Sequence, residues 1–389
     1  MNIGLFDVDS HNFPNLALMK ISAYHKQNGD DVERVLPVCR YDRIYASKVF
    51  GDEYTTVKNL CLQSDDVRLG GTGFAITVEN GKEIYRKEKD GDLPYEIEHI
   101  YPDYSLYPEL TKDTAYGFLT RGCPNNCGFC IVSKKEGLQS RKVANLSEFW
   151  RGQKYIKLLD ANILACRDRI ELLQQLADSG AKVDITQGLD ARFITDEIAV
   201  LINNIRADCF HFAFDFMKNE TAIIKGLQTF KKVCKKHISR LTVYMLTNYD
   251  TTIDEDLYRV KVIESCGYTP DVRIYRKPSA PQILKDLQRW CNNRYIHGSC
   301  EFMDYVPRKD GRTIRELYFA GGGAIIVCVN DKLVPFAVLC LQVARGVVAF
   351  VPNDYIFDGK IPLDLLFEKI DFIAAAKHIK RGVFFHYIE

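Results

Sequence analysis

Between Gly117 and Val132 the chain reads G-F-L-T-R-G-C-P-N-N-C-G-F-C-I-V, setting Cys123, Cys127 and Cys130 in a C-x3-C-x2-C spacing. Three thiolates on one tight loop point to a metal site. The number three is informative. A [4Fe–4S] cluster normally takes four cysteine ligands, so a three-cysteine loop leaves one iron open to a substrate or cofactor. The same logic separates open catalytic metal sites from closed structural ones. The alternative is a zinc knuckle or a set of buried thiols. Zinc wants a fourth Cys or His at similar spacing, and His99 and His211, the nearest candidates, are not placed for it.

Such a loop needs a rigid strand beneath it, and the preceding apolar run Tyr116–Leu119 reads as one. From residue 115 onward, strand and helix signals alternate. Candidate strands are Tyr116–Leu119, Tyr155–Leu159, Val183–Thr186, Cys209–Ala213, Leu241–Leu246 and Asp271–Tyr275. Candidate helices between them are Ser147–Gly152, Asp168–Ser179, Thr195–Ile205, Glu220–His237 and Thr252–Cys266. Six such repeats predict a partial (βα)6 TIM-type barrel, active at its C-terminal face. The cysteine loop follows the first of these strands, where such a site belongs.

Upstream, Ile3–Phe6, Asp31–Leu36, Arg43–Ala46 and Asp66–Leu69 read as strands, and Leu16–Lys26 as a helix ended by Gly29. They predict a small Rossmann-like parallel sheet whose ligands lie beyond the strands' carboxyl ends. Asp9, Ser10, His11, Ser47 and Gly70–Gly73 all fall there. Prolines keep Tyr101–Pro108 from forming a regular helix, and its tyrosines are expected to pin it to another surface. After a helix near Ala280–Trp290, residues 311–389 change character: short apolar strands with turn signals at Asn330-Asp331, Pro352–Asp354 and Asp358-Gly359 precede a helix near Leu363–Lys380. The predicted fold class is therefore α/β. A small Rossmann-like parallel sheet domain (1–80) and a linker (81–114) precede the partial barrel (115–305) and a small α+β C-terminal appendage (306–389).

Composition bounds the rest. At 389 residues the chain can hold two or three domains, and 47% hydrophobic with 26% charged residues describes a soluble globular protein. A net charge of +1 pulls it towards neither nucleic acid nor an anionic membrane. Neither a signal peptide nor an uncharged run of the ~18–20 residues needed to span a membrane is evident. Thirteen cysteines, an odd number spread through apolar segments, argue against a disulfide framework and for a reducing cytoplasm. Outside the loop they form no close C-x-x-C pair and read as buried small hydrophobes.

The cysteine loop resembles the cluster motif of the radical S-adenosylmethionine superfamily. The resemblance implies a [4Fe–4S] cluster on Cys123, Cys127 and Cys130, whose open iron binds the amino and carboxylate groups of S-adenosylmethionine. One-electron reduction, from a flavodoxin- or ferredoxin-like donor, then cleaves the C–S bond to a 5′-deoxyadenosyl radical. Phe129 matches the family's aromatic near the adenine. Asp160 or Asn162, after the second barrel strand, would accept from the cofactor's ammonium. Arg192, after the third, would meet its carboxylate, and Gln187 or Asp190 its ribose hydroxyls. Thr247–Asp250 is a weaker candidate for the same pocket. For each of these the alternative is a cap, a turn or a structural ion pair.

The N-terminal module resembles the cobalamin-binding-like domain that precedes many of these enzymes. Asp9-Ser-His11-Asn-Phe-Pro14 keeps the Asp and His of that family's D-x-H-x-x-G motif and puts Pro at the Gly position. Ser47 and Gly70-Gly71 match its later Ser and Gly-Gly. The alternative is that Asp9, His11 and Asn12 cap a helix or line a channel with no corrin present. Asp7–Asn12 and Gln187–Arg192 resemble a bacterial and phage-associated branch of the superfamily, from which no substrate carries over. The expectation is a cytoplasmic radical S-adenosylmethionine enzyme of unknown substrate. Cobalamin-dependent radical methylation and a non-catalytic iron–sulfur or zinc sensor or scaffold are the alternatives.

Overall fold

The computed structural model describes residues 1–10, 12–50, 61–79, 82–319, 326–329 and 332–335. The chain divides into two compact units, Met1–Asn292 and Asn293–Glu389.

The first unit opens with β1 (Asn2–Asp7), α1 (Leu16–Gln27), β2 (Asp31–Arg34), β3 (Arg43–Ser47) and β4 (Val67–Gly70). All pair in parallel, in the order β2-β1-β3-β4. Alternation along β1 turns Ile3 and Leu5 to one face, where they pack with Leu18 and Ile21 of α1 and with Ile97. Val8, Tyr41, Ile44 and Ala46 form a second cluster. Each fully buried aliphatic side chain of this kind contributes about 1.5–3 kcal/mol. Asn15 caps α1, its side chain accepting from Leu18 N–H at 3.2 Å.

A short α2 (Thr72–Ala75) and an antiparallel hairpin of β5 (Ile76–Glu79) and β6 (Lys82–Tyr85) follow, then single-turn helices α3 (Tyr95–Glu98) and α4 (Pro108–Thr111). The tyrosines of this stretch do pin it down. Tyr104 Oη donates to the Phe149 carbonyl at 2.6 Å, Tyr107 Oη to Asp7 at 2.5 Å, and Tyr101 Oη accepts from Gln153 at 2.7 Å.

Six parallel strands then run in chain order: β7 (Thr114–Gly117), β10 (Tyr155–Leu158), β11 (Lys182–Ile185), β12 (Phe210–Ala213), β13 (Leu241–Thr247) and β14 (Thr269–Ile274). Between β7 and β10 lie the two-residue strands β8 (Thr120–Arg121) and β9 (Arg141–Lys142), which pair antiparallel, and α5 (Val132–Glu136). β7, β10 and β11 make one sheet, β12, β13 and β14 another. A parallel bridge from Leu189 to Phe212 links them into the expected open barrel of six strands. Helices α6 (Arg169–Asp178), α7 (Asp196–Asn204), α8 (Glu220–Val233), α9 (Ile253–Ser265) and α10 (Gln282–Asn292) match the βα alternation closely.

One expectation needs correcting. Ser147–Gly152 is not a helix but a 3-10 turn over Leu146–Glu148, opened by an Asn145–Glu148 capping box. The next residue, Phe149, packs its ring so closely on Gly117 that a Cβ there would lie 2.3 Å away, and Gly152 takes a φ of 95°. The start signal is genuine, but packing beneath β7 stops the helix.

In the second unit, α11 (Arg294–His297) precedes the antiparallel strands β15 (Ile326–Val329) and β16 (Lys332–Pro335). The helix expected near Leu363–Lys380 lies outside the described residues. Among the described residues no helix is long and apolar enough to cross a membrane, and the cysteines from Cys39 to Cys300 are free thiols.

Candidate metal and cofactor site at the barrel mouth

The cysteine loop leaves the carboxyl end of β7 and is fastened at its base. Glu136, at the end of α5, accepts from Gly122 N–H and from Arg121, both at 2.9 Å, and Cys123 N–H donates to the Gly137 carbonyl at 3.2 Å. Arg121 also lies over the Phe118 ring at 3.7 Å and 3.5 Å from Glu98, which pairs with Lys20 of α1 at 3.0 Å. A chain of charges thus runs from the N-terminal module to the base of the loop.

Inside the loop Cys130 N–H donates to the Cys127 carbonyl at 3.0 Å, and Asn126 adopts a left-handed φ of 44°. All three thiols are half-buried. Burial pushes the Cys127 thiol up to about 11, helped by Cys130 and Cys123, and burial raises Cys130 as well. Neighbouring thiols that resist ionising together are stabilised as thiolates by a bound cation. Among the described residues no three His, Cys, Asp or Glu side chains converge closely enough to hold one metal ion.

Neighbouring strand ends supply the polar groups. Asp190, after β11, accepts from Arg192 Nε at 2.9 Å and Nη2 at 2.6 Å, and from Asn125 and Asn162 at 3.1 Å each. Arg192 Nη2 also donates to Asn125 Oδ1 at 2.6 Å, leaving Nη1 outside these bonds. Asn162, after β10, reaches Cys123 Sγ at 3.6 Å while its Oδ1 caps the following turn at Ala165 N–H. Burial would raise Asp190, but the bonds from Arg192, Asn125 and Asn162 outweigh it and hold the carboxyl below its ordinary range. The turn bearing Asp190 and Arg192 is set by α8: a Cβ at Gly226 would lie 1.8 Å from the Ala191 carbonyl oxygen.

Two residues expected here stand apart. Asp160 is 1% exposed, and its oxygens accept from Leu119 N–H, Thr120 N–H and Thr120 Oγ1 at 2.8, 2.7 and 2.5 Å. It ties β10 to the strand beneath the loop instead of facing the mouth. Burial pushes its carboxyl up to about 7, against those bonds. Gln187 is exposed and joins none of this network.

The opposite wall is aromatic. Phe129 stacks on Phe216 (5.7 Å, 21°) and meets Tyr249 edge-on (5.1 Å, 82°), and Tyr249 in turn meets Tyr275 edge-on (5.2 Å, 85°). Phe216, Tyr249 and Tyr275 follow the ends of β12, β13 and β14. Asp215, beside Phe216, accepts from Leu246 N–H at 2.9 Å, and burial raises its carboxyl. Arg259 of α9, fully buried with Asp256, donates to the Phe214 and Leu246 carbonyls at 2.7 and 2.8 Å and fixes both turns. Sequence reasoning missed Asn125, Asp215, Phe216 and Tyr275. For Asp215, Phe216 and Tyr275 the available signal was position alone, one to three residues beyond a strand end, and Asn125 lies within the cysteine loop itself.

The carboxyl edge of the N-terminal sheet is built differently. Asp9 is 2% exposed and accepts from Val49 and Phe50 N–H at 2.7 and 2.8 Å. Asn15 donates to Ser47 Oγ at 2.9 Å. Cβ atoms at Gly71 and Gly73 would lie 2.3 and 2.2 Å from the Lys48 and Phe50 carbonyl oxygens. A cleft of about 510 Å³ remains beside Asp7, Ser10, Arg34 and Tyr107. His11 lies outside the described residues.

Among solved structures, the radical S-adenosylmethionine methyltransferase TsrM from Kitasatospora setae, with cobalamin and a [4Fe–4S] cluster bound, is similar to this chain. The likeness is one of fold. The TM-score to TsrM is 0.50 at 10% sequence identity, covering 70% of this chain and 75% of TsrM. No family model matches the sequence, and no curated protein does. The likeness bears on the α/β architecture of parallel sheets, a Rossmann-like sheet followed by a partial barrel.

Proposed function

We propose that this chain is a radical S-adenosylmethionine enzyme, with a [4Fe–4S] cluster on Cys123, Cys127 and Cys130. The observation that carries the reading is the three-cysteine loop at the end of the first barrel strand, bonded through Asn125 and Asn162 to Asp190 and Arg192. The donor set fits the group. Three half-buried thiols on one loop can each bind an iron of a four-iron cluster and leave the fourth iron without a protein ligand. When bound, the cluster supplies the electron that breaks the C–S bond of S-adenosylmethionine, giving methionine and a 5′-deoxyadenosyl radical that takes hydrogen from a substrate.

The protein's own residues hold and shield. Arg192, braced by Asp190, has Nη1 available for the cofactor's carboxylate. Phe129, Phe216 and Tyr249 keep water from the reacting centre. Asp160 acts as a positioning group for the strand beneath the loop. An external flavodoxin- or ferredoxin-like electron donor belongs to this reading. The test is anaerobic reconstitution with iron and sulfide, then dithionite and S-adenosylmethionine. 5′-Deoxyadenosine should accumulate, and a Cys123→Ala, Cys127→Ala, Cys130→Ala variant should make none; equal yield from that variant refutes the proposal.

Cobalamin-dependent methylation is the second reading, favoured by the fold likeness to TsrM. The described residues fit a corrin poorly. Both Asp9 oxygens already accept from the Val49 and Phe50 N–H groups, and the space beside Gly71 and Gly73 is filled by the Lys48 and Phe50 carbonyls. Protein isolated with hydroxocobalamin should carry no corrin absorbance.

A further inference from the structure

The aromatic wall continues outward past the cysteine loop, from Tyr249, which shields the reacting centre, to Tyr275, which has no part in the proposed reaction. Tyr249 is 40% exposed, and its ring meets those of Phe129, Phe216 and Tyr275 in edge-to-face contacts. Tyr275 carries the Arg276 guanidinium over its ring at 5.3 Å, and Phe216 carries the Lys218 ammonium at 5.1 Å. Lys277 stands next in the chain. All three cations are exposed, and among the described residues none of them meets a carboxylate.

The backbone holds this arrangement under strain. Arg276 sits at φ 48°, ψ 51°, a left-handed conformation that a bulky L-residue seldom adopts, while Asn248 takes the φ of 62° that asparagine adopts readily. Asn248 Nδ2 donates to the Tyr275 carbonyl at 2.8 Å, locking the turn after β13 to the turn after β14. A strained arginine on a tyrosine face at the mouth of a parallel barrel is a group presented to a ligand.

The chemistry of that ligand follows from the pairing of flat rings with cations. Exposed aromatic faces stack on nucleobases whatever their identity, and adjacent Arg and Lys groups meet phosphate. Carboxylates on the intervening stretch, Asp250, Asp254 and Glu255 among them, offset the charge of these cations, so stacking must carry the affinity and the cations its direction. Bases in a duplex are already stacked and present no face.

We infer that Tyr249 and Tyr275, with Lys218, Arg276 and Lys277, form a docking platform for an unpaired nucleotide, so that the substrate reaching the barrel mouth is a nucleotide or a single-stranded nucleic acid. This rests on the reading of that mouth as the reacting site. The platform itself binds without reduction or turnover, so its test is separate from that of the radical chemistry.

The measurement is fluorescence anisotropy of short labelled single-stranded RNA and DNA on the full-length reconstituted protein, with saturating S-adenosylmethionine to fill the cofactor's own pocket. Single strands should bind, and the matching duplex should bind at least tenfold more weakly. Tyr249→Ala should lower affinity roughly five- to hundred-fold, the effect of losing one stacked base, while Tyr249→Phe keeps it. Arg276→Ala should weaken binding and flatten its salt dependence by about 0.7 in the log–log slope. Competition by uridine 5′-monophosphate as strong as by the strand assigns the site to a free nucleotide, and weaker competition assigns it to a strand. Equal binding of duplex and single strand, or full affinity in folded Tyr249→Ala, overturns the inference.

Discussion

The N-terminal parallel sheet and the barrel each gather polar residues beyond their strands' carboxyl ends, yet they use them in opposite ways. At the N-terminal edge the polar atoms satisfy one another and the backbone: Asp9 holds Val49 and Phe50, Asn15 holds Ser47, and Asp7 takes the Tyr107 hydroxyl. At the barrel mouth they satisfy one another only in part. Three half-buried thiols, Arg192 Nη1 and the exposed cations of the outer rim are left for something else. A strand end is where a parallel α/β sheet can bind. Whether it does depends on which donors, acceptors and faces remain unengaged.

Substitutions at the two edges should therefore fail differently. Asp9→Ala strands two backbone N–H groups behind a buried side chain, and should lower unfolding free energy by about 2–4 kcal/mol in a urea melt. Iron content and 5′-deoxyadenosine yield should be unchanged in whatever fraction is folded. Loss of iron in folded Asp9→Ala protein would mean that the N-terminal edge belongs to the site. Gly226→Ala pushes a methyl against the Ala191 carbonyl and should cost about 1–3 kcal/mol. Because it displaces the turn carrying Asp190 and Arg192, it should also weaken S-adenosylmethionine binding, measured calorimetrically. Glu136→Gln, which keeps one acceptor for Gly122 but drops the charge opposite Arg121, should cost about 1–2 kcal/mol and speed loss of iron during gel filtration.

The smallest effect is a pH slope. Burial lifts the Asp160 carboxyl to about 7 in the fold, above its ordinary unfolded value near ~3.9. Between those values the folded chain keeps a proton that the unfolded chain has released. The contribution of this group to stability therefore falls as pH rises through the window, and is constant below and above it. The difference in melting temperature between the native chain and Asp160→Asn should shift against the native chain from pH 5 to pH 8. A difference independent of pH would place the Asp160 titration elsewhere.

Much of this comparison was legible in the chain itself. β-branched and aromatic runs set six barrel strands to within two residues, because the fold demands period-two burial there: β13, for example, alternates buried and half-buried from Leu241 to Thr247. The C-x3-C-x2-C spacing was legible because one loop carries it. Asp160 was assigned a ligand it does not face, since a sequence shows that a carboxylate ends a strand but not that Leu119 and Thr120 N–H groups lie within its reach. The aromatic wall was invisible for the converse reason. Phe129, Phe216, Tyr249 and Tyr275 are far apart in the chain, and only barrel closure brings their rings within 5–7 Å of one another. The engagement of Asp9 by Val49 and Phe50 depends on register between β1 and β3, which composition does not encode.

The central claim is that the three cysteines hold a cluster with one iron open to S-adenosylmethionine. Low-temperature electron paramagnetic resonance of the dithionite-reduced, reconstituted protein addresses it directly. A reduced [4Fe–4S] signal should be present and should change shape when S-adenosylmethionine is added, because the cofactor binds the open iron. The same addition should do nothing to a protein carrying zinc. Absence of a cluster signal, or a signal that S-adenosylmethionine leaves untouched, would contradict the account.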